Sequence, residues 1–377
     1  MSWRPIVLVG AGTAIGVIAW SGPFPAIALA LVVPGLWAAA ESRWQAGAAV
    51  AAYQLAATRS LPTGIEAYYG TLLARGVVLW GIAALLVAGV WIALWRPKTA
   101  KWTPLGAAGA LFLTAFPPIG VVGWVSPLTA AGALFPNCGW LGLLGTVLVI
   151  EALVSARPKW LAAGAVFVVL WAAILAGPVK EMAGWRGIDT AGGRTDAGNA
   201  MEKMIELPRL MRSSPAGVVL YPETIAGLWM PGEETWWKKE LGSPGEVALV
   251  GAEVVESDGR YANAVIEISP TAWSVVYRQR MPVPLTMWRP WAADTAHAYW
   301  FRNPVVLAAG KRAAVLICYE QALVWPVLCS MADSPEVVVA TSNDWWCRDS
   351  AIPTMQRNSV TAWCRLFGLP AVMAFNR

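Results

Sequence analysis

Apolar runs about as long as a membrane is thick recur through the first half of the chain. A helix needs about 20 apolar residues to cross a bilayer, and seven runs approach that length. The predicted spans are residues 5–20, 24–40, 44–60, 76–95, 104–122, 135–154 and 160–177. The third is the weakest, because Gln45, Gln54 and Arg59 interrupt it. The pattern predicts a multi-span α-helical membrane domain.

The pattern changes after about residue 178. Short β-branched runs bounded by turn residues follow, as is typical of strands. The predicted strands are 217–221, 247–255, 262–268, 273–277, 313–319 and 336–342. A linker is indicated at 185–200, a short helix at 200–212, and a helix at 353–367 ended by Gly368 and Pro370. Strands in pairs with flanking helices predict a layered α/β domain.

Composition and charge indicate two regions, one suited to lipid and one suited to water. The 377 residues are 57% hydrophobic and 14% charged, which excludes a disordered chain. Residues 1–177 carry nine basic and three acidic residues, and the remainder carries 19 basic and 20 acidic residues. We therefore expect a membrane domain at 1–178, a linker with a short helix at 179–212 and a second domain at 213–377. The scattered bases predict no direct nucleic-acid binding.

The loop charges predict an orientation. Short loops rich in Lys and Arg stay in the cytoplasm. Seven spans place four basic segments on that side, namely Arg4, 41–43, 96–101 and 156–159. We expect a multi-pass protein of the bacterial inner membrane whose C-terminal domain is periplasmic. A signal peptide at the first run is the alternative, but no convincing cleavage site follows it.

The scarcity of cysteine and histidine excludes several kinds of site. The five cysteines show no CxxC spacing, and His297 is the single histidine. A disulfide framework and a zinc site are therefore not indicated, and no cofactor is expected.

Polar residues at predicted strand ends carry the candidate chemistry. Glu223 follows one apolar strand, and Cys318 and Glu320 end another. A carboxylate can take the proton of a thiol, whose thiolate then attacks a carbonyl carbon. Each residue also has a plain structural role open to it. A buried cysteine fills apolar space, a glutamate after proline caps a helix, and Arg278 and Arg280 are solvated or bind a lipid phosphate.

Several short motifs in a fixed order resemble a known family. They are Tyr221-Pro-Glu223-Thr, Val250-Gly-Ala-Glu, Tyr261-Ala-Asn263-Ala, Ile317-Cys318-Tyr-Glu320, and Ser342-Asn343-Asp344 with Trp346, Asp349-Ser350 and Pro353. Residues 217–376 resemble the carbon–nitrogen hydrolase (nitrilase-like) domain of apolipoprotein N-acyltransferases. Within that group the chain looks most like the TraB-type conjugal transfer proteins.

The resemblance implies a fold, an activity and a set of site residues. The fold is an αββα sandwich, and the activity is acyl transfer through a cysteine thioester from a phospholipid to a lipoprotein amine. Glu223 matches the general base, Cys318 the nucleophile and Glu320 a supporting acid. Gln279 stands where the family has its catalytic lysine. The residues expected to contact substrate are Tyr319, Asn343, Trp346 and Arg280.

Three departures keep two functions open. Gln279 lacks the charge of a lysine, a second family acid falls on Met287, and family members continue beyond Arg377 with more strands and a span. The sandwich is therefore incomplete or the chain shortened. One function is a thiol-dependent acyltransferase or amidase, with membrane phospholipid and a lipoprotein as partners. The other is a degenerate domain with a structural or binding role among conjugation proteins. A transporter is disfavoured because few charges lie within the spans.

The strand period predicts how the Gln279 segment is oriented. Alternate residues of a strand point to the same face. Tyr277 and Gln279 are therefore expected to share a face, with Arg278 and Arg280 pointing away.

Overall fold

The computed structural model describes residues 3–70, 72–193, 217–241 and 246–377. The short helix predicted at 200–212 lies outside these residues. The chain divides into two compact units. The first comprises Met1–Pro178, Ala322–Trp325 and Asp349–Gly368, and the second comprises Val179–Gln321, Pro326–Arg348 and Leu369–Arg377.

The first unit is helical. Its α-helices are α1 (Arg4–Ser21), α2 (Val33–Ala39), α3 (Arg43–Ala57), α4 (Leu61–Tyr69), α5 (Leu73–Leu94), α6 (Thr103–Ala115), α7 (Ala131–Leu134), α8 (Gly139–Ser155) and α9 (Pro158–Leu175). Stretches of 3-10 helix occupy Phe24–Val32, Ile119–Val122 and Pro127–Ala130. Each of the seven predicted apolar runs lies mostly on helical backbone, with breaks at 116–118 and 135–138.

Close contacts fix the direction of neighbouring helices. A Cβ added to Gly12 would lie 2.4 Å from the Ala49 carbonyl oxygen, and one added to Gly16 would lie 2.4 Å from that of Tyr53. Helices α1 and α3 therefore run parallel. Trp80 on α5 donates to the hydroxyl of Thr58, at the end of α3. The start of α5 thus meets the end of α3, and these two helices run antiparallel.

Basic segments gather at one end of this unit. The Nη1 atom of Arg4 lies 2.7 Å from Oε1 of Glu41, and Arg4 also donates to the Ala39 carbonyl. Lys98 donates to the carbonyl of Ala156. The charge of Arg4 also acts on Lys98, so the two pairs are neighbours. The four segments assigned to one side of the membrane from sequence therefore lie together.

Two helices, Arg4–Ser21 and Leu73–Leu94, are long and apolar enough to cross a membrane, which indicates membrane association. The pair Pro127–Leu134 and Gly139–Ser155, bent by 117°, would add a third if it were one span. Helix length in the described residues thus supports fewer spans than the seven predicted. The second predicted span shows why the count is difficult. A 3-10 helix rises about 2.0 Å per residue, more than an α-helix does. Phe24–Ala39 is therefore roughly 28 Å long, which is close to the thickness of the hydrocarbon core, although it has few residues.

A helix from the C-terminal part of the chain packs in this unit. Ile352–Phe367 is helical, as predicted, and Gly368 ends it with a φ of 69°. A Cβ on Gly132 would lie 1.7 Å from the carbonyl oxygen of Ala362. The guanidinium of Arg365 donates to the carbonyls of Leu175 and Gly177. It thereby satisfies the C-terminus of α9, where carbonyls lack partners within the helix.

The second unit contains two β-sheets. One has the order β1-β2-β3-β4-β5 and the other β6-β7-β8-β9. The strands are β1 (Trp185–Gly187), β2 (Val218–Leu220), β3 (Val247–Val255), β4 (Tyr261–Ile268), β5 (Trp273–Arg278), β6 (Val306–Ala308), β7 (Lys311–Ile317), β8 (Val337–Asn343) and β9 (Ala371–Asn376). The remaining described α-helices are α10 (Glu233–Glu240), α11 (Val324–Ala332) and α12 (Ile352–Phe367), of which α12 belongs to the first unit.

Alternation along the strands produces two apolar layers. Val218 and Leu220 of β2 pack in a cluster with Val315 of β7 and Val339 of β8, so this core contains both sheets. Val219, between them, belongs to a second cluster that includes Trp237 of α10. The period of two along a strand thus supplies one face to each layer. The result is the sandwich expected from the resemblance.

The six predicted strands are present, and the second matches its predicted bounds. Three strands were not predicted, namely β1, β6 and β9. The sequence predicts a linker at 185–200, yet Trp185–Gly187 pairs in parallel with β2. Three residues in a Gly-rich stretch carry too little alternation to be distinguished from a turn.

Replacing Gly132 by alanine should weaken the first unit. The new methyl group would overlap the Ala362 carbonyl, and overpacking of this kind costs about 1–3 kcal/mol. Gly89→Ala is the matched control, because nothing lies within 4 Å of a Cβ at that helical position. Thermal unfolding of both variants in the same detergent checks this. Equal melting temperatures would show that the backbones do not approach as described.

Candidate active site

Glu223 lies just beyond β2 and is 5% exposed. Strand β2 ends at the edge of the sheet just before Glu223, and Gly251 of β3 lets the backbone of the Glu223 loop pack closely against β3. A Cβ on Gly251 would lie 2.4 Å from the Pro222 carbonyl oxygen and 2.6 Å from the Glu223 Cα. The glycine in the Val250-Gly-Ala-Glu motif therefore makes room for the Glu223 loop.

Cys318 begins the turn that follows β7. It is 8% exposed, and its φ is 47°, in the left-handed region that a residue with a Cβ seldom adopts. A strained residue at the junction of a strand and a helical turn directs its side chain away from the regular ladder. Such a turn presents a nucleophile in other hydrolytic folds.

Hydrogen bonds fix the Glu223 carboxyl group. Its Oε1 accepts from Asn263 Nδ2 at 2.5 Å, and its Oε2 accepts from the backbone N–H of Asn343 at 2.8 Å. Cys318 is a further hydrogen-bond partner of Glu223, and Ser342 is another partner of the thiol. The structure thus brings together the two residues predicted as base and nucleophile.

Burial dominates the protonation of this pair. It raises the pKa of Glu223 to about 8, with a smaller contribution from the charge of Asp344, although the hydrogen bonds from Asn263 and Asn343 oppose the rise. Burial, together with the charges of Glu223 and Asp344, also raises the pKa of the Cys318 thiol well above its usual range. At neutral pH both groups are mainly uncharged. The carboxylate needed to accept the thiol proton becomes the major form above about pH 8.

Gln279 lies in the same network. Its Oε1 accepts from Asn263 Nδ2 at 3.2 Å, and its Nε2 donates to the carbonyl of Ile317 at 3.1 Å. Asn263 therefore links Glu223 to Gln279, and Gln279 in turn holds the residue before Cys318. The amide occupies the expected place but supplies no positive charge to favour a thiolate.

Glu320 connects the Cys318 turn to the segment after β5. Its carboxylate accepts from the backbone N–H groups of Ile317 at 2.8 Å, Arg280 at 2.7 Å and Met281 at 3.2 Å. The hydroxyl of Tyr277 donates to it as well. These contacts fit a supporting acid, since they fix the position of Cys318 without touching its thiol.

Arg280 lies in the Glu320 network and is fully buried. Its Nε atom is 3.9 Å from Glu320 Oε1 and donates to the Tyr277 hydroxyl at 3.1 Å. The expectation that Arg280 points away from Tyr277 is therefore wrong, because β5 ends at Arg278 and the strand period stops there. Arg280 is engaged within this network, and its predicted contact with substrate stays a prediction.

Asn343 ends β8 and joins Glu223 to two other segments. Its Nδ2 donates to Thr224 at 2.7 Å, and its Oδ1 accepts from Asn376 at 2.8 Å. Its side chain is therefore engaged in positioning, while its backbone N–H holds Glu223. Tyr319 is buried and Trp346 half-buried, and their predicted contact with substrate stays a prediction.

Sequence reasoning assigned no role to Asn263, which is 1% exposed and bonds both Glu223 and Gln279. The sequence feature that could have indicated this role is the amide of Asn263 within the mostly apolar strand Tyr261–Ile268, since a buried polar side chain needs a hydrogen-bond partner. Ser342 and Asp344 belong to the Ser-Asn-Asp motif without a predicted role, and they too lie buried beside the thiol. Among the described residues, no group of His, Cys, Asp and Glu could hold a metal ion.

The reactivity of Cys318 should rise with pH through the ionisation of Glu223. Below about pH 8 the carboxyl group is mainly protonated and cannot accept the thiol proton, so alkylation by iodoacetamide should accelerate up to that pH and then level off. Mass spectrometry of the modified peptide gives the rate. Glu223→Gln should remove the inflection, and an inflection that persisted in this variant would assign it to another group.

Gly251→Ala should displace Glu223 and destabilise the second unit. The methyl group would overlap backbone atoms of Pro222 and Glu223, at a cost of about 1–3 kcal/mol. Gly217→Ala is the control, because the nearest atom to its Cβ would be 3.7 Å away. Unfolding and Cys318 alkylation should change in the first variant only. Similar behaviour of both would contradict the described approach.

Comparison with known proteins places these features in a family. The profile of the carbon-nitrogen hydrolase family matches residues 105–365. The chain is 37% identical to the conjugal transfer protein TraB of Agrobacterium fabrum, over 99% of this chain and 93% of that protein. It is also 37% identical to a probable conjugal transfer protein TraB of Sinorhizobium fredii, over 99% and 98% of the two chains.

The similarity to solved structures is weaker. A carbon-nitrogen hydrolase from Helicobacter pylori aligns with a TM-score of 0.38 and 13% identity, over 51% of this chain and 72% of that one. An amidase from a Nesterenkonia species aligns with a TM-score of 0.36 and 12% identity, over 53% and 79%. The full-length similarity and the matched profile together carry the conclusion that the chain belongs to the carbon–nitrogen hydrolase family, among the proteins related to TraB.

Proposed function

We propose that this protein is a membrane-bound acyltransferase that acts in conjugal plasmid transfer through a thioester on Cys318. The observation that carries the proposal is the buried pair formed by Cys318 and Glu223. The thiol lies on a strained turn, and the carboxyl group beside it is held by two N–H donors. The role in conjugation rests on the names of the two TraB relatives.

In the first half-reaction the proton of the Cys318 thiol passes to Glu223. The thiolate attacks the ester carbonyl of a phospholipid, the sulfur–carbon bond forms, and the ester carbon–oxygen bond breaks. Glu223 returns the proton to the departing hydroxyl. In the second half-reaction the nitrogen of an amine, such as that of a lipoprotein N-terminus, attacks the thioester carbonyl. The carbon–nitrogen bond forms, the carbon–sulfur bond breaks, and Glu223 passes the amine proton to the sulfur, which regenerates the thiol. Glu320 acts by positioning the turn.

The membrane setting of this proposal rests on the first unit. Many apolar side chains on its helices are exposed, including Leu85 of α5, Leu141 of α8 and Ile174 of α9. Exposed apolar surface of this extent is typical of contact with lipid. We place residues 1–178 in the bacterial inner membrane with the basic end cytoplasmic, and residues 213–377 as a periplasmic hydrolase-like domain joined through 179–212.

A non-catalytic role is the second candidate, and Gln279 favours it. The amide donates to Ile317 and brings no charge, so the raised pKa values of Cys318 and Glu223 are not offset at that position. In this case the sandwich is kept for assembly with other conjugation proteins. The two candidates differ in whether the Cys318 thiol is needed.

Intact-mass analysis after incubation with phospholipid vesicles separates the two candidates. The acyltransferase should gain one acyl group that hydroxylamine removes, because a thioester is labile to it. The adduct should be absent in Cys318→Ala and present in Cys329→Ala, a thiol outside the Glu223 network. Conjugation frequency should fall in the first variant alone.

Lipid binding without any adduct, combined with an unchanged conjugation frequency in Cys318→Ala, would reject the catalytic proposal. It would leave the assembly role in its place.

A further inference from the structure

Three exposed tryptophans stand beside a basic residue at the basic end of the first unit. The pairs are Arg43–Trp44, Lys101–Trp102 and Lys159–Trp160, and we call them the tryptophan–base rim. Their indole side chains are 70%, 59% and 59% exposed. Tryptophans that only fill a core would be buried, so the rim requires a different explanation.

The described contacts place the rim at one end of the unit. Trp44 follows the Glu41 turn that pairs with Arg4, and Trp160 follows Ala156, which accepts from Lys98. Trp102 precedes α6, and Thr103 donates to the carbonyl of Pro97, in the same loop as Lys98. Arg4 also lies near enough to Lys98 for its charge to act on that ammonium group, which joins the two sets of contacts. The three pairs therefore border the same face.

Each pair also stands at the start of a helix, namely α3, α6 or α9. None of these helices has an acidic residue in its first turn. A helix N-terminus carries partial positive charge and is usually stabilised by a nearby acid. Here the basic side chains add to that positive charge instead, so the face is arranged to meet an external anion.

Two ammonium groups lie against the neighbouring indoles. The Nζ atom of Lys101 is 5.2 Å from the Trp102 ring centroid, and that of Lys159 is 5.6 Å from the Trp160 centroid. Cation–π contacts of this kind keep a charge next to an exposed aromatic ring. Aromatic rings with nearby bases suit the layer where lipid headgroups meet acyl chains.

We propose that the tryptophan–base rim binds the phosphate headgroups of anionic phospholipids in one leaflet. The proposal rests on the membrane placement proposed above. Charge complementarity favours this occupant, since bases and helix N-termini of the same sign converge on one face. Zwitterionic lipids offer the same apolar chains but no net charge, which gives the proposal a direct test.

Titration of the full-length protein in detergent with phosphatidylglycerol or phosphatidylcholine, followed by native mass spectrometry, tests the proposal. Phosphatidylglycerol should be retained preferentially. The double variant K101Q/K159Q should lose roughly 25-fold in its affinity for phosphatidylglycerol, since each base near an anionic surface contributes about a factor of five. R59Q/R75Q is the matched control, because it also removes two positive charges. Arg59 follows the end of α3 and Arg75 lies near the start of α5, both at the end of the unit away from the rim.

Equal loss in the two double variants, or equal retention of both lipids by the unchanged protein, would overturn the proposal. A response to inorganic phosphate as strong as that to phosphatidylglycerol would also overturn it, because the rim would then bind a small anion. Recovery of the expressed protein in the soluble fraction would instead reject the membrane placement. The failure of this proposal and the failure of the membrane placement are therefore distinguishable.

A separate measurement checks that the variants remain folded. Their melting temperatures in phosphatidylcholine should equal that of the unchanged protein.

Discussion

The candidate site depends on the burial of a carboxyl group beside a thiol. Removing Glu223 from water is costly unless its oxygens have hydrogen-bond partners, and Asn263 and Asn343 provide them from strands of two different sheets. The contact of Asn343 with Glu223 thus fixes the two sheets of the sandwich at the site. The same hydrogen bonds position the reactive carboxyl group and join the two sheets, so a change in them alters both the site and the packing.

The second buried carboxylate at the site, that of Glu320, has a structural role. Glu320 accepts from the backbone N–H of Ile317, which precedes Cys318, and from that of Arg280, which follows Gln279, and the charge of Arg280 compensates it. Buried ion pairs seldom add stability over apolar packing, but breaking one is expensive. Glu320 therefore acts as a rigid connection between two loops. Burial raises the pKa of both carboxyl groups, but Glu223 is the one that contacts the Cys318 thiol and so remains the group able to exchange a proton with it.

Much of the fold was accessible from the sequence, because its strongest signals are local. The apolar runs predicted helices, and the alternation of 247–255 predicted β3. The ends of β2 and β7 predicted the positions of Glu223 and Cys318. Tertiary contacts explain what was missed. Asn263 acquires its role only when β4 places it between Glu223 and Gln279, and the orientation of Arg280 depends on where β5 ends. The short strand β1 exists because its neighbour in the sheet supplies hydrogen bonds.

The positive φ of Cys318 has a consequence for how such a protein would change over generations. A left-handed backbone costs a residue with a Cβ free energy that glycine does not lose. Once the thiol were dispensable, glycine at this position would relieve the strain and preserve the turn. A lineage that had abandoned the chemistry would therefore gain stability by exchanging the cysteine, whereas Gly251 would be retained for steric reasons in either case. Persistence of the strained cysteine, rather than of the glycine, is the feature that would record selection for reactivity.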